Sequence, residues 1–349
     1  MKKRQFLKFR LLLPVIGILG GLFCTVGCGT SQNTVETGNL IRSDAPKHNS
    51  DYITVGFIQT GKESDWRDAN TNDYWDTFTT ENGYNLIYVD GNSDSNRQVK
   101  AAYDLIAQKV DYLIIDPIVE DGWDDVLTLA QQENIPVIIS DRGVNANPSL
   151  YECWIGSDFK TEGINAAKWL YSYLEKNGRE KENLNIVILE GTAGASAAIG
   201  RTEGLLEEIS KHSNWNILTS QCANFTQGEG TNVMKQILTD YPHEDIDVVI
   251  SENDNMMFGA MKAMEQAGMR YGVDTDVITI SFDALYEAFE LMQEGKLMVS
   301  VECNPLIAGL SHQVIQDLEA GKTVDSVYYV EESVFTYENA AEYISDRKY

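Results

Sequence analysis

The chain has 349 residues, and its 53 acidic side chains outnumber its 27 lysines and arginines, which gives a formal net charge of −26. A chain this acidic is poorly suited to bind nucleic acid or an anionic lipid surface. Single hydrophobic cores stop growing at about 250 to 300 residues, so the length favours two domains over one.

The first 27 residues have the composition of an export signal. Five basic side chains lie within the first ten residues, an apolar run follows from Leu11 to Cys24, and the stretch contains no acidic residue. Because a membrane-spanning helix requires roughly 20 apolar residues, we interpret residues 1–27 as a signal peptide. Its removal takes away five positive charges and changes the formal charge from −26 to −31.

A cysteine directly follows the predicted signal peptide. Thr25-Val26-Gly27-Cys28 resembles the lipobox of bacterial lipoproteins, in which the cysteine is acylated and becomes the new N-terminus. The resemblance implies that Cys28 is a lipidation site that anchors the protein to the cell membrane. The alternative is ordinary cleavage nearby, with Cys28 left as a free thiol. Residues 28–50 are mostly polar, and we predict that they form a flexible tether.

The rest of the chain lacks the usual signatures of metal and enzyme sites. Cys153, Cys222 and Cys303 are widely spaced and predict no disulfide framework. The sequence leaves open whether two of them form a disulfide. The four histidines lack the spacing of metal ligands. The sequence has no phosphate-binding loop, dinucleotide fingerprint or nucleophile elbow. We therefore expect no metal, no cofactor and no catalysis.

From Asp51 onward, short β-rich apolar runs alternate with longer amphipathic segments. Nearly continuous apolar strands between helices are typical of a parallel sheet covered on both faces, the doubly wound α/β architecture. Two comparable sets of strands, before and after about Ser157, predict two Rossmann-like lobes with a cleft between them. The predicted strands are 53–58, 85–89, 112–115, 136–140, 185–189, 215–220, 247–250 and 277–281. The predicted helices are 97–108, 123–132, 162–174 and 256–266.

Polar residues follow nearly every predicted strand. Ligands of open α/β sheets bind beyond the carboxyl ends of the strands, so these residues predict a binding site, although Asp and Asn also occur there as turn formers. Arginine, carboxylate and amide groups suit a neutral ligand with many hydroxyls. Trp66 and, more weakly, Phe225 offer aromatic faces to a sugar ring. The polar candidates are Gln59, Glu63, Arg67, Asp90, Asp116, Asp141, Arg142, residues 190–201, Asn253, Asp254 and Asp283.

These positions carry the motifs of a known family. The motifs are Gly56-Phe57-Ile58-Gln59, Glu63-Ser64, Trp66-Arg67, Asp90-Gly91, Asp141-Arg142, residues 190–196 with Arg201, and Asn253-Asp254-Asn255-Met256 with Gly259-Ala260. Together they resemble the sugar-binding type I periplasmic binding proteins of ABC transporters, and within that family they are similar to the galactofuranose binders. The resemblance extends from about Tyr52 to Gly321.

The resemblance implies a particular domain organisation and ligand set. The chain would cross between lobes three times, near Ser157, Asn304 and Val324, through a three-segment hinge. The N-terminal lobe would comprise 51–157 and 304–323, and the C-terminal lobe 158–303 and 324–349. The implied ligand-binding residues are Glu63, Ser64, Trp66, Arg67, Asp141 and Arg142 in the first lobe and Arg201, Asn253 and Asp283 in the second, with Asp116 and Phe225 as weaker candidates.

The family's function implies an extracytoplasmic lipoprotein that closes its two lobes around a monosaccharide, galactofuranose or another pentose or hexose. It would deliver this sugar to the permease of an ABC importer, and we expect it to act as a monomer. An alternative is a sensor that signals to a membrane kinase or chemoreceptor. For Asp141 and Arg142 the alternative is a salt bridge within one lobe. Asp65, Asp68 and Asp116 stand where the family has smaller residues, which leaves the exact sugar open.

Overall fold

The computed structural model describes residues 41–43, 51–275 and 277–349. The predicted signal peptide, Cys28 and most of the predicted tether lie outside the described residues. Ile41–Ser43, within that tether, form strand β1, which pairs antiparallel with Ile87–Val89. The prediction of an unstructured tether is therefore wrong for these three residues. The edge of a sheet exposes N–H and C=O groups that a neighbouring extended segment can pair with.

Every helix among the described residues is too short or too polar to cross a bilayer.

The first lobe contains a seven-stranded sheet that is parallel except for β1 at its edge. In spatial order its strands are β1 (Ile41–Ser43), β3 (Tyr84–Asp90), β2 (Ile53–Gln59), β4 (Tyr112–Ile115), β5 (Val137–Ser140), β6 (Cys153–Gly156) and β12 (Val327–Tyr329).

The second lobe contains a six-stranded sheet that is parallel except for β13 at its edge. In spatial order its strands are β13 (Val334–Thr336), β11 (Val299–Glu302), β10 (Ile278–Asp283), β9 (Val248–Ser251), β7 (Leu184–Glu190) and β8 (Trp215–Cys222). Two parallel-sheet α/β lobes confirm the fold predicted from the alternating pattern.

Helices cover the faces of both sheets. They are α1 (Asp65–Thr77), α2 (Ser95–Ala107), α3 (Asp124–Gln132), α4 (Phe159–Lys176), α5 (Ser196–Ile209), α6 (Gln227–Asp240), α7 (Asp254–Gln266), α8 (Tyr286–Gln293), α9 (Ala308–Glu319) and α10 (Ala340–Tyr343). Side-chain caps fix several starts, for example Asp94 before α2 and Thr226 before α6. Because helices lie on both faces, β4, β5 and β9 are buried along their whole length.

The chain crosses between the two sheets three times: after β6, after β11 and after β12. After the second crossing, α9 packs against α1 of the first lobe. The third crossing was predicted near Val324, and this position is wrong. Val327–Tyr329 pairs with β6 of the first sheet, so the chain crosses between Tyr329 and Val334. A three-residue strand has too few residues to show a period, and its partner β6 was also missed.

Closely packed helices in the second lobe depend on glycine. A Cβ atom at Gly163 of α4 would lie 2.2 Å from the carbonyl oxygen of Arg201 in α5, and one at Gly204 of α5 would lie 2.1 Å from that of Lys160. Real Cβ atoms do not approach backbone oxygens this closely. The two helix backbones therefore lie in direct contact, which also holds Arg201 near the start of α4.

We predict that Gly163→Ala forces α4 and α5 apart and destabilises the protein by about 1–3 kcal/mol or more, the usual range for overpacking. Gly309→Ala is the matched control, because a Cβ atom at this helical position meets no atom within 4 Å. The control should leave the free energy of unfolding within about 1 kcal/mol of wild type. Urea unfolding monitored by circular dichroism measures both, and equal stabilities for the two variants would contradict the packing.

Candidate functional site

A buried ion network stands at the carboxyl ends of the first-lobe strands, with Arg67 at its centre. Ser64 caps α1 and places Arg67 in the first helical turn. Nη1 of Arg67 donates to Oδ2 of Asp116 at 2.7 Å, and Nη2 donates to Oδ2 of Asp141 at 2.7 Å. Glu63 accepts a third bond at 3.2 Å. One guanidinium thus joins the loops that follow β2, β4 and β5.

Arg142 follows β5 and points into the same network. Its Nη2 is paired with Oε1 of Glu63, and its guanidinium carbon lies 4.9 Å from the ring centroid of Phe225 in the second lobe. Its Nε lies 3.9 Å from Oδ2 of the neighbouring Asp141. Asp141 and Arg142 therefore both form salt bridges within the first lobe, as the alternative has it, although their main partners are Arg67 and Glu63 rather than each other.

Arg201 of α5 occupies the corresponding place in the second lobe. Its Nε donates to Oε2 of Glu162 at 2.6 Å, and its Nη2 donates to Oδ1 of Asp283 at 3.3 Å. The guanidinium carbon lies 5.5 Å from the ring centroid of Phe159 and 4.9 Å from that of Phe282. Two aromatic rings therefore lie close to this guanidinium, which also lines the cavity.

Burial shifts the titration of these groups strongly. Burial lowers the pKa of the Arg67 guanidinium, but the carboxylates of Asp116 and Asp141 raise it, and the net pKa lies above its ordinary value. For the Asp116 and Asp283 carboxyl groups burial is the largest effect and raises the pKa well above the usual range. Arg67 and Arg201 stay charged, and the ionisation of Asp116 and Asp283 depends on the arginine beside each.

The two networks face one small cavity between the lobes, with a volume of about 20 Å³. This volume holds about one water molecule, so entry of a sugar ring requires the lobes or the lining side chains to separate. Its lining residues are Glu63, Ser64, Trp66, Arg67, Asp141, Arg142, Phe159, Ala197, Arg201, Phe225, Asn253, Asp283 and Cys303. The structure thus brings together the nine implied ligand residues and Phe225. Asp116 does not line the cavity, because it lies fully buried behind Arg67.

Several arginine N–H groups at this cavity have no partner. Nε of Arg67 and both Nε and Nη1 of Arg142 are buried and make no hydrogen bond to any described residue. A buried donor without an acceptor costs about 1–3 kcal/mol, more when it is charged. These atoms therefore mark places where a ligand's oxygen atoms would be favoured.

Two of the implied ligand residues also serve as helix caps. Oγ of Ser64 accepts from the backbone N–H of Arg67, and Oδ1 of Asn253 accepts from that of Met256. Nδ2 of Asn253 donates to the carbonyl of Phe225 at 3.0 Å. Hydrogen bonds within the protein use part of the capacity of Ser64 and Asn253. These two side chains are therefore less available to a ligand than the arginines.

Trp66 lies between the lobes. It is 4% exposed, its ring packs with second-lobe core residues, and its Nε1 donates to the carbonyl oxygen of Cys303 at 2.6 Å. The guanidinium carbon of Arg67 lies 4.6 Å from the Trp66 ring centroid. One ring therefore contacts the cavity, an arginine of the first lobe and the backbone of the second.

Further hydrogen bonds join the lobes around the cavity. The N–H of Gly143 donates to Oγ of Ser196 at 2.7 Å. Asp65 and Asn255 exchange two bonds, from the Asp65 N–H to Oδ1 of Asn255 at 3.1 Å and from Nδ2 of Asn255 to Oδ2 of Asp65 at 2.7 Å. Asp65, a departure from the family pattern, therefore contacts the opposite lobe rather than the cavity.

The backbone is strained at one acidic residue in each of the two arginine networks. Asp141 and Asp283 have φ values of +55° and +101°, which are rare for residues other than glycine. Such conformations cost about 1–3 kcal/mol and persist only where surrounding contacts impose them. Both residues follow central parallel strands, and the strained turns aim their carboxyl groups at Arg67 and Arg201.

Sequence reasoning missed three lining residues: Phe159, Ala197 and Cys303. Phe159 begins the helix after β6, and Cys303 directly follows β11. Neither strand was predicted, so the residues beyond their carboxyl ends were not considered. Ala197 lies within the 190–201 segment that was predicted to contact ligand, but its methyl group carries no polar signal.

Comparison with known proteins agrees with this fold. A model of the periplasmic binding protein domain matches residues 55–322. The galactofuranose-binding protein of Escherichia coli K12 is 35% identical over 274 residues, which are 78% of this chain and 84% of that protein.

Two solved structures are also similar. A Mycobacterium smegmatis protein in complex with β-D-fucofuranose has 36% identity and a TM-score of 0.80 over 85% of this chain and 95% of that one. The binding component of the arabinose ABC transporter from Shewanella sp. ANA-3, bound to α- and β-L-arabinofuranose, has 34% identity and a TM-score of 0.79 over 84% of this chain and 95% of that one. The matched relatives are solute-binding proteins rather than enzymes, and this chain belongs to the family of periplasmic binding proteins.

Proposed function

We propose that the protein is the extracytoplasmic binding lipoprotein of an ABC sugar importer and closes its two lobes around a neutral monosaccharide, with furanose forms favoured. The observation that carries the proposal is the cavity between the lobes, which Arg67, Arg142 and Arg201 face and where Arg67 and Arg142 keep buried N–H groups without a hydrogen-bond partner. Names of three relatives mention galactofuranose, fucofuranose and arabinofuranose, which supports a furanose.

The number of polar groups is sufficient for tight binding. Hydrogen bonds to charged groups contribute about 1.5–3 kcal/mol each, and micromolar affinity requires about 8 kcal/mol net. Three unpaired arginine N–H groups would contribute about 4.5–9 kcal/mol before ordering costs, and bonds from hydroxyls to the carboxylates of the cavity would add to this. The Trp66 and Phe225 rings add faces against which the apolar side of a sugar can pack.

The charge of the cavity favours a neutral sugar. In the first lobe two guanidinium groups face three carboxyl groups, and in the second lobe Arg201 faces Glu162 and Asp283. A sugar acid or sugar phosphate would add negative charge where carboxyl groups already outnumber arginines. Hydroxyl groups, which both donate and accept, suit arginine and carboxylate together.

Delivery to a membrane permease would follow from lobe closure and from anchoring through Cys28. Family membership implies a location outside the cytoplasm. A diacylglyceryl group on Cys28 supplies two acyl chains, which is enough for stable attachment. We propose that the protein works as a monomer, with the closed lobes forming the surface that the permease recognises.

A screen of sugars tests the proposal directly. We expect L-arabinose, D-galactose or another neutral monosaccharide to raise the melting temperature, because a ligand that binds only the folded state stabilises it. D-Galacturonate, an anionic analogue of galactose, should have little effect. Thermal-shift assays followed by titration calorimetry measure both, and an unchanged melting temperature with every neutral sugar offered would refute the proposal.

Replacement of Arg142 tests the placement of the ligand. Arg142→Ala removes at least one charged hydrogen bond and the contact with Phe225, so we expect affinity for the sugar found above to fall by about 10- to 100-fold. Arg270→Ala is the matched control, since Arg270 is exposed and outside the cavity lining. Calorimetry with folded variants checks this, and wild-type affinity in Arg142→Ala would count against the site.

Replacement of Cys28 tests the anchor. We expect Cys28→Ser to abolish acylation and release the protein from membranes, while Cys222→Ser, which changes an exposed thiol in the body, stays attached. Detergent phase partitioning and intact-protein mass spectrometry measure the two outcomes. Equal partitioning of wild type and Cys28→Ser into the aqueous phase would show that Cys28 does not anchor the chain.

A further inference from the structure

Glu332 connects the three segments through which the chain passes between the lobes. It lies between β12 and β13, in the third crossing. Its Oε1 accepts from Oγ of Ser157 in the first crossing at 2.5 Å and from the N–H of Asn304 in the second at 3.0 Å. Oγ of Ser157 also lies 3.3 Å from Sγ of Cys303. One side chain therefore contacts all three crossing segments, and the sequence analysis did not identify it.

A second carboxyl group lies beside Glu332. A carboxyl oxygen of Glu162, a carboxyl oxygen of Glu332 and Sγ of Cys303 all lie within 4.8 Å of one another. Oε1 of Glu162 is buried and has no hydrogen-bond partner among the described residues, although Oε2 accepts from Nε of Arg201. A buried acceptor beside another carboxyl group is satisfied when that group carries a proton and donates it.

We propose that Glu332 and Glu162 share one proton when the lobes are together, and that this shared proton positions Arg201 at the ligand cavity. Glu332 is then a positioning residue, because it acts through Glu162 and does not line the cavity. Its effect on sugar binding rests on the proposed function, whereas the shared proton is a property of the ligand-free protein and can be tested without a sugar.

The surrounding charges favour retention of the proton. Burial, and then the negative charge of Glu162, raise the pKa of Glu332 to about 9. Burial raises the pKa of Glu162 as well, opposed by the charge of Arg201 and by the hydrogen bond that Arg201 donates. Burial also raises the pKa of the Cys303 thiol, which keeps the thiol neutral. The charged or titratable groups that face the pair are Arg201 on α5, Cys303 after β11, Asp283 at the end of β10 and Asp141 after β5.

The sign of the pH dependence follows from these pKa directions. In the unfolded chain Glu332 titrates near the ordinary value of about 4.3, and in the folded protein it holds its proton to much higher pH. The proton on Glu332 stabilises the folded protein in full at pH values below the pKa that Glu332 has in the unfolded chain. This stabilisation is lost as the pH rises through the pKa that Glu332 has in the folded protein. Between about pH 5 and 9 the equilibrium constant for unfolding increases by up to tenfold per pH unit, because the folded protein keeps this one proton and the unfolded chain releases it.

Glu332→Gln tests the shared proton, because glutamine keeps the acceptor for Ser157 and donates an N–H to Glu162 at every pH. We measure urea unfolding of the ligand-free protein at pH values from 5 to 9. The unfolding constant of wild type, relative to that of Glu332→Gln, should rise by at least twofold and up to tenfold per pH unit. Glu331→Gln, an exposed neighbour, should follow wild type. Parallel pH profiles for wild type and Glu332→Gln would overturn the proposal.

Added Zn²⁺ separates proton sharing from metal binding by the same cluster. We expect Zn²⁺ to leave the melting temperature of wild type unchanged, because Arg201 already supplies positive charge to Glu162. A rise in wild type that is absent from Glu332→Gln would overturn proton sharing in favour of a cation held by the cluster.

The effect on Arg201 is tested by binding of the sugar that the screen identifies. Affinity of wild type should fall as pH rises from 6 to 9, and Glu332→Gln should flatten this profile. Glu332→Ala, which neither donates nor accepts, should bind at least threefold more weakly than Glu332→Gln at pH 6. An unaltered binding profile in Glu332→Gln, with the unfolding difference present, would show that the proton is shared but does not position Arg201.

Discussion

The structure depends on arginines that are buried together with the carboxyl groups that neutralise them. A buried guanidinium that loses its partner destabilises a protein by about 3–5 kcal/mol, so Arg67, Arg142 and Arg201 require the acidic residues around them. The pairing is incomplete: Arg67 and Arg142 keep buried N–H groups without acceptors. A site whose arginine N–H groups lack acceptors, and in which carboxyl groups already outnumber arginines, is suited to a neutral molecule with many hydroxyl groups.

The two sheets place these groups opposite each other. Each lobe directs the carboxyl ends of parallel strands toward the cleft, and strained turns at Asp141 and Asp283 point carboxyl groups at the arginines of their own lobe. Contacts across the cleft, such as the Asp65–Asn255 pair and the Trp66 bond to Cys303, connect the lobes around the cavity. Each of these arginines therefore has its carboxyl partners within its own lobe.

Much of this arrangement could be predicted from the sequence, because long apolar strands and the polar residues after them are local features. Arg67 and Arg142 were found in this way. Phe159 and Cys303 were not, because β6 ends in glycine and β11 alternates apolar with polar residues, so neither has the continuous apolar run of an equally short strand such as β4. The cap functions of Ser64 and Asn253, the place of Asp116 behind Arg67, and the meeting of Glu332 with Ser157 and Asn304 depend on contacts between residues far apart in sequence. Such contacts leave no local pattern.

The most direct test of the account is a crystal structure of the protein with a bound monosaccharide. We predict one sugar ring between the lobes, with hydroxyl oxygens accepting from Nε of Arg67 and from Nε and Nη1 of Arg142, and with the Arg201 and Asp283 side chains on the opposite side. A sugar bound outside this cavity, or a sugar in it that leaves those three N–H groups without acceptors, would contradict the central claim.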